Sequence, residues 1–507
     1  MRHFAFLLAT LLWVSCHNNK PAKEYLGIVN ITISGKEKAI PYFEKGLLLL
    51  HSFEYDDARE AFKEAQRIDP KMPMAYWGEA MTYNHNLWSE QDYDDAVAAL
   101  KKLDRIKLKD HATELERDFI EAAQVLYTPE MSKTDRDQAY ADHMEVLSKK
   151  YPENHEVAAF YALSLLGVLP EERDKSRYMQ GADIAQRILK ENPDHPGALH
   201  YLIHSYDDPD HASLALNAAN AYAKVAPDAS HALHMPSHIY VALGMWDEVI
   251  SSNVSSYLAS VNRKKRKNLD NDALGYHAYH WLQYGYLQKE NKEEARNMTL
   301  KMQEFATEKP SKRGRVHLIF LKGTYLVETG EWNGEIAEIP VDISDLNVTI
   351  RSQYHFLEGM KAVAQGNMTK LDTIIRHMGN DIERASFVVS NGASKLCAGA
   401  TRDEATERDI TESEIRQFQL QALAASMDKN ESLAEEYFLK SIALEESISY
   451  SFGPPFIQKP THELYADWLL SKHRNEEAIT YYNAGLKTSP QRLLSLKGIT
   501  QASHPKP

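Results

Sequence analysis

Between residues 200 and 280 the chain spaces its histidines as a metal site or a polar groove would require. His200 and His204 stand four apart, as do His234 and His238, and His277 and His280 stand three apart. On a helix, side chains three or four positions apart are neighbours, so each pair would share one face. Six imidazoles brought to one place allow three chemistries. Neutral ring nitrogens ligate Zn, Cu or non-haem Fe, with His200, His204, His234 and His238 as the metal candidates and Asp207, Asp208 or Glu90 as a carboxylate. The same rings, with Tyr201, Tyr240, Tyr276 and Tyr279, can line a groove that hydrogen-bonds a peptide or an anionic small molecule. Alternatively the rings bond one another, backbone carbonyls and water in a structural seam. With 22 His in 507 residues, about one pair four apart arises by accident. The signal therefore lies in the register the pairs share.

Other chemistry is sparse. Tyr-Leu-Ile separates His200 from His204, so no HExxH is present, and there is no glycine-rich phosphate loop, no GxSxG and no cysteine beside a suitable histidine. Nothing marks the chain as an enzyme of a recognisable class. Pro236 is tolerated in the first turn of a helix, which would put His234 near a cap where free amides favour an anion.

The elements that position these rings are read from a repeat. In IPYFEKGLLLLHSFEYDDAREAFKEAQRIDP, large Tyr42, small Gly46, large Leu49, small Ala58, aromatic Phe62, small Ala65 and closing Pro70 fall at the intervals of a tetratricopeptide repeat. Small residues let two antiparallel helices approach, large ones fill between them, and Pro stops the second helix. The same intervals recur at Ala422, Ala425, Ala434, Phe438 and Ser441, and at Ala466, Leu469, Ala478, Tyr482, Gly485 and Pro490. Aligning the central windows puts the small first-helix position on Ile203, Ser237 and Gln283. His200, His234 and His280 then lie three before it, and His204 and His238 one after, in slots that face the concave side. Insertions interrupt the period. NHNLWSEQD carries His85 and Trp88 on a loop that joins the groove, and NGEIAEIPVDISDLNVT from Asn333 follows no helical period.

A net charge of −14 without a basic domain argues against nucleic acid. The one basic run, Arg263 to Lys267, reads as a solvated inter-repeat loop. Arg2, the apolar run Phe4 to Val14 and small Ser15 before Cys16 resemble a bacterial lipoprotein signal, which implies lipidation of Cys16. Only Cys397 remains, so helix packing must supply the stability.

AYWGEAMTYNHNLW, HPGALHYLIHSYDDP, HALHMPSHIYVALGMWDEVI, GYHAYHWLQYGYL and FGPPFIQKPTHELYADWLL resemble a group of secreted bacterial tetratricopeptide-repeat proteins, Bacteroidota-like in their lipoprotein start. The resemblance implies export and a helical superhelix but no particular activity.

The expectation is an all-α, right-handed superhelix of antiparallel helix pairs. Its parts are a lipoprotein signal at 1–16, a polar tether at 17–37, an array at 38–330 with the histidine-rich groove, an irregular insertion at 331–349, a second array at 350–500 and a tail at 501–507. It would be exported and held by lipid at the outer membrane of a Gram-negative bacterium, on either face. A partner protein, peptide or small ligand would bind in the groove at His200, His204, His234, His238, His277, His280, Tyr201, Tyr240, His85 and Trp88. The alternative is a metal-dependent protein, a hydrolase or oxygenase, with a transition metal as its cofactor.

Overall fold

The computed structural model describes residues 25–88, 90–168, 173–390 and 405–504. The signal segment, Cys16 and Cys397 lie outside them. The described residues are mainly helical, and the strands among them form one minimal hairpin that pairs Asn84 with Gln91 and His85 with Glu90. That hairpin is the inserted segment bearing His85 and Trp88. No described helix is long and apolar enough to cross a membrane.

Helices pack in successive pairs: Ile40–His51 on Tyr55–Ile68, Pro196–Ser205 on Ala212–Val225, Tyr276–Gln288 beside Lys292–Glu308, and Thr461–Ser471 on Asn475–Thr488. The small landmarks explain the closeness. A Cβ on Gly46 would stand 2.7 Å from the Phe62 ring and one on Gly78 2.4 Å from it, so two first helices leave the space that this ring fills. Ala58, Phe62, Ala65, Ala478 and Tyr482 are likewise buried. Ile203, Ser237 and Gln283 are fully buried inside their pairs, as the register requires.

Two features depart from the expectation. Residues 25–34, assigned to a polar tether, instead lie extended on the repeats: Leu26 and Ile33 are buried, the Ile28 amide donates to the Asp194 carbonyl at 3.0 Å, and Ser34 donates to Glu116. Gly27 sits there at φ +96°, where a Cβ would meet the Asp194 carbonyl at 2.8 Å. The basic run is not a loop but the last turn of the Trp246–Lys267 helix, where cations offset the carbonyl end of the dipole and Arg263 and Lys267 pair with Asp57. Residues 331–349 hold a single turn of helix, Glu335–Glu338, with Ile336, Ile339 and Leu346 buried.

The end of the chain returns to the middle. Arg492, buried, pairs with Glu328 at 2.6 Å and Glu463 at 2.8 Å and donates to the Tyr284 hydroxyl at 3.0 Å. Between the helices Glu431–Ser447 and Thr461–Ser471, residues 448–460 run as a non-helical strap against the histidine-bearing helices. The Phe452 ring lies tilted against His238, centroids 5.1 Å apart, and Gly453, at φ +95°, lies so close to Trp281 that a Cβ would be 2.2 Å from the indole.

Candidate metal centre

Three helices carry the rings. Pro196 opens the Pro196–Ser205 helix, and the His195 ring accepts from the Ala198 amide at 3.1 Å to cap it, which sets His200 and His204 one turn apart. The next first helix, Ser230–His234, continues past Met235 into Pro236–Leu243. Pro236 cannot donate to a preceding carbonyl, so the helix is divided there but keeps its direction, and His231, His234 and His238 follow one face. His234 thus ends a helix segment rather than capping the start of one. His277 comes from the first turn of Tyr276–Gln288.

The rings form two adjoining trios, His200 with His204 and His231, and His234 with His238 and His277. Within each trio the nearest ring nitrogens all lie within 4.8 Å of one another. The hydrogen bonds assign the tautomers. His200 Nδ1 donates to the His51 carbonyl at 2.7 Å, leaving Nε2 as a bare lone pair. His204 Nε2 and His231 Nε2 both face it, at 3.1 and 3.2 Å. One lone pair can accept from only one of them.

The second trio is more constrained. His234 Nδ1 donates to Asn253 Oδ1 at 2.7 Å, and the amide is fixed in that sense because Asn253 Nδ2 donates to the Val249 carbonyl. His238 Nδ1 donates to Asp207 Oδ2 at 2.5 Å. Both remaining Nε2 atoms then point at each other, 3.1 Å apart. Two ligands at about 2.05 Å from a tetrahedral ion stand about 3.3 Å apart, and at right angles about 2.9 Å, so these separations are those of nitrogens sharing an ion. Asp207 and Asn253 occupy the positions from which outer partners orient ligating imidazoles.

Burial, then the neighbouring rings, pushes His200, His204 and His231 well below the ordinary imidazole range and His234 down to about 3. These four are therefore neutral near pH 7 and hold a lone pair. His277 is exposed and lines a cavity.

A third group behaves differently. His51 and His195 donate through Nε2 to the two oxygens of Glu156, at 2.8 and 3.1 Å, and His51 Nδ1 accepts from Tyr201 at 2.8 Å. Burial alone would raise the Glu156 carboxyl, but the His195 and His51 rings hold it well below the usual range. Each group here has its partner, so this cluster is structural.

Of the residues expected in the groove, His200, His204, His234, His238 and His277 come together. His280 does not: its Nε2 meets Thr324 Oγ1 at 2.7 Å, and it lines the cavity wall. Three positions of separation turn it about 60° past His277, away from the trio. Tyr201 and Tyr240 are not groove donors, since one bonds His51 in the core and the other Asn220. Tyr276 and Tyr279 are core residues as well. His85 stacks on Tyr55 at 4.1 Å, apart from the rings, whereas Trp88 reaches them edge-on, 6.0 Å from His231. His231 went unnoticed although its spacing of three and seven from His234 and His238 was legible. Asp207 holds a ring rather than an ion.

Beyond His277 and Trp281 opens a cavity of about 350 Å³, bounded by Trp88, Phe320, the strap from Tyr450 to Phe456, and the helices Val348–Ala364 and Glu407–Met427. No family model matches the chain, and no curated protein does. Solved structures similar to it include a human IFIT1 dimer with PPP-AAAA, 13% identical over 90% of this chain and 94% of that one at a TM-score of 0.38. Yeast Tom70 is similar at 12% identity over 92% and 95%, with a TM-score of 0.33. A chain of the APC/C hetero-tetramer Cut9–Hcn1 is similar at 13% identity over 92% and 76%, with a TM-score of 0.37. The fold stands on the helices themselves, and none of these likenesses bears on what the chain binds.

Proposed function

We propose that the protein is a transition-metal protein whose ion is held by His234, His238 and His277, with His200, His204 and His231 forming a second trio beside it. One observation carries the reading: the Nε2 atoms of His234 and His238 face each other at 3.1 Å while both Nδ1 hydrogens are committed to Asn253 and Asp207. Two opposed lone pairs repel, and a cation between them turns the repulsion into two bonds. An imidazole set without thiolates suits Zn, Cu or Fe rather than Mg or Ca. Three protein ligands leave a position open, as in sites that meet a small molecule, and His277 borders the cavity. A partner peptide along the groove has less room here, because the strap at 448–460 lies beside His238 and Trp281. The Cys16 sequence supports an exported, lipid-held location for the whole.

The test is titration of chelator-stripped, untagged protein with Co²⁺, whose visible absorption reports ligand number and geometry. Saturable binding with a nitrogen-ligated spectrum, lost in His234→Ala and His238→Ala but kept in His280→Ala, supports the centre. Binding that survives both of the first two variants overturns it.

A further inference from the structure

The trio His200, His204 and His231 differs from its neighbour in charge and in cover. Its ring nitrogens converge: His200 Nε2, left bare because Nδ1 donates to the His51 carbonyl, faces His204 Nε2 at 3.1 Å and His231 Nε2 at 3.2 Å. Hydrogen bonding among the rings satisfies only one of these contacts. Three nitrogens bound in a plane at about 2.0 Å from one ion stand about 3.5 Å apart, so small ring rotations give all three a common centre. Charge is the first difference. In the neighbouring trio the Asp207 carboxylate holds His238, whereas among the described residues no carboxylate is hydrogen-bonded to the rings of His200, His204 or His231. Glu54 accepts the backbone amide of His231 and not its ring. A dication buried here would lack the counter-charge that its neighbour has.

Cover is the second difference. The Phe53 ring packs on all three imidazoles, with centroids 4.2 Å from His200, 5.6 Å from His231 and 6.2 Å from His204, and Trp88 stands edge-on to Phe53 at 5.5 Å. Phe53 is buried in a turn at φ +55°, a left-handed backbone that favours glycine and costs a bulky residue strain. The turns between later helix pairs use exposed Gly366, Lys429 and His473 at positive φ instead. The strained aromatic therefore sets apolar surface against the trio rather than a fourth donor. Zinc in protein sites completes four ligands. Copper(I), singly charged and with a filled d shell, is satisfied by three neutral nitrogens and needs neither a water nor a carboxylate.

We propose that His200, His204 and His231 form a second metal site, selective for monovalent copper held by three imidazoles. It adjoins the first: His204 lies 5.7 Å from His238, and His231 6.2 Å from His234, ring centre to ring centre. The open trio backed by Asp207 takes a dication, and the covered trio takes Cu(I). His231, only half-buried, is the side from which the ion enters. The inference deepens the metal reading and rests on it for the neighbouring ion, whereas the contacts of His200, His204, His231 and Phe53 carry the copper site.

The test is anaerobic competition for Cu(I) against bicinchoninate, on untagged full chain stripped by a chelator and reloaded with one equivalent of Zn²⁺. The zinc-loaded protein takes up one equivalent of Cu(I), whose X-ray absorption edge has the form of three-coordinate Cu(I) with nitrogen ligands, and it takes up no second equivalent of Zn²⁺ or Co²⁺. His231→Ala, or His231→Gln should the alanine variant fold poorly, binds Cu(I) at least about tenfold more weakly, since losing a ligand costs no less than losing a ligand's outer partner, and keeps its zinc. Absence of Cu(I) uptake by the zinc-loaded protein, undiminished uptake in the His231 variants, or a second dication bound in place of Cu(I) overturns the proposal. Zinc bound without Cu(I) fails this site alone. Cu(I) bound in a His231-dependent way by protein that takes up no zinc keeps this site and fails the neighbouring centre.

Discussion

Replacing Asp207 by Asn removes one negative charge and little else. The carboxylate is 1% exposed, and its Oδ2 accepts from His238 Nδ1 at 2.5 Å. An amide oxygen at the same place still accepts that hydrogen, so the ring keeps its orientation. What is lost is charge assistance, the difference between a contribution of about 1.5–3 kcal/mol and one of about 0.5–1.5 kcal/mol. That difference, about 1.5 kcal/mol, corresponds to about tenfold weaker metal binding, within the range seen when outer partners of ligating histidines are replaced. Competition for Zn²⁺ against a chromophoric chelator reads the affinity. Binding within twofold of the parent would show that the carboxylate is not coupled to an ion through His238. A metal-free arrangement predicts something else: a proton on His238 shared with His234 and balanced by Asp207. In that case Asp207→Asn lowers the melting temperature of chelator-treated protein and leaves no metal effect to measure.

Other consequences follow from the same contacts. Glu156→Gln sets an amide N–H₂ against the N–H of His51 or His195, and breaking this buried group costs about 3 kcal/mol in urea unfolding of stripped protein. Its metal content stays that of the parent; a loss of metal would move this cluster from structure into the centre. His280 and His317 are pushed down to about 3 by burial, against 6.5 when unfolded. The unfolded chain binds more protons between those values, so stability is full above about pH 6.5 and falls on acidification by up to about 1.4 kcal/mol per pH unit for each ring. A melting temperature of stripped protein that stays flat from about pH 7 to pH 5 contradicts this. Cys16→Ala moves the exported protein from the membrane to the soluble fraction if lipid holds it, and an unchanged distribution refutes the anchor.

The helical frame was legible because its signal is local. Gly46, Ala58, Phe62 and Ala65 recur at fixed intervals, and the phase they set put Ile203, Ser237 and Gln283 inside the helix pairs, where they lie. The rings spaced four apart followed from that phase. His280 failed because three positions do not place a side chain on the azimuth that four do. His231 escaped because it precedes the landmark by six positions, outside the slots that the register singled out, although spacings of three and seven put it on one helical face with His234 and His238. The strap at 448–460 could not be placed from sequence. It has no helical period, and its seat beside His238 and Trp281 depends on how far the array has turned by the time it returns, a sum of many small inter-helix angles. Tyr201 and Tyr240 had suitable chemistry, but one position along a helix turns a side chain about 100° and two turn it about 200°, so neither Tyr201 after His200 nor Tyr240 after His238 faces the groove.

Elemental analysis of the untagged protein, taken from cells grown with Zn, Cu and Fe in the medium, tests the central claim most directly. The account predicts about one to two equivalents of transition metal per chain, reduced in His234→Ala/His238→Ala, and a melting temperature that falls when a chelator removes it. Protein that is isolated without metal, takes up none on incubation and melts identically with and without the chelator would contradict it.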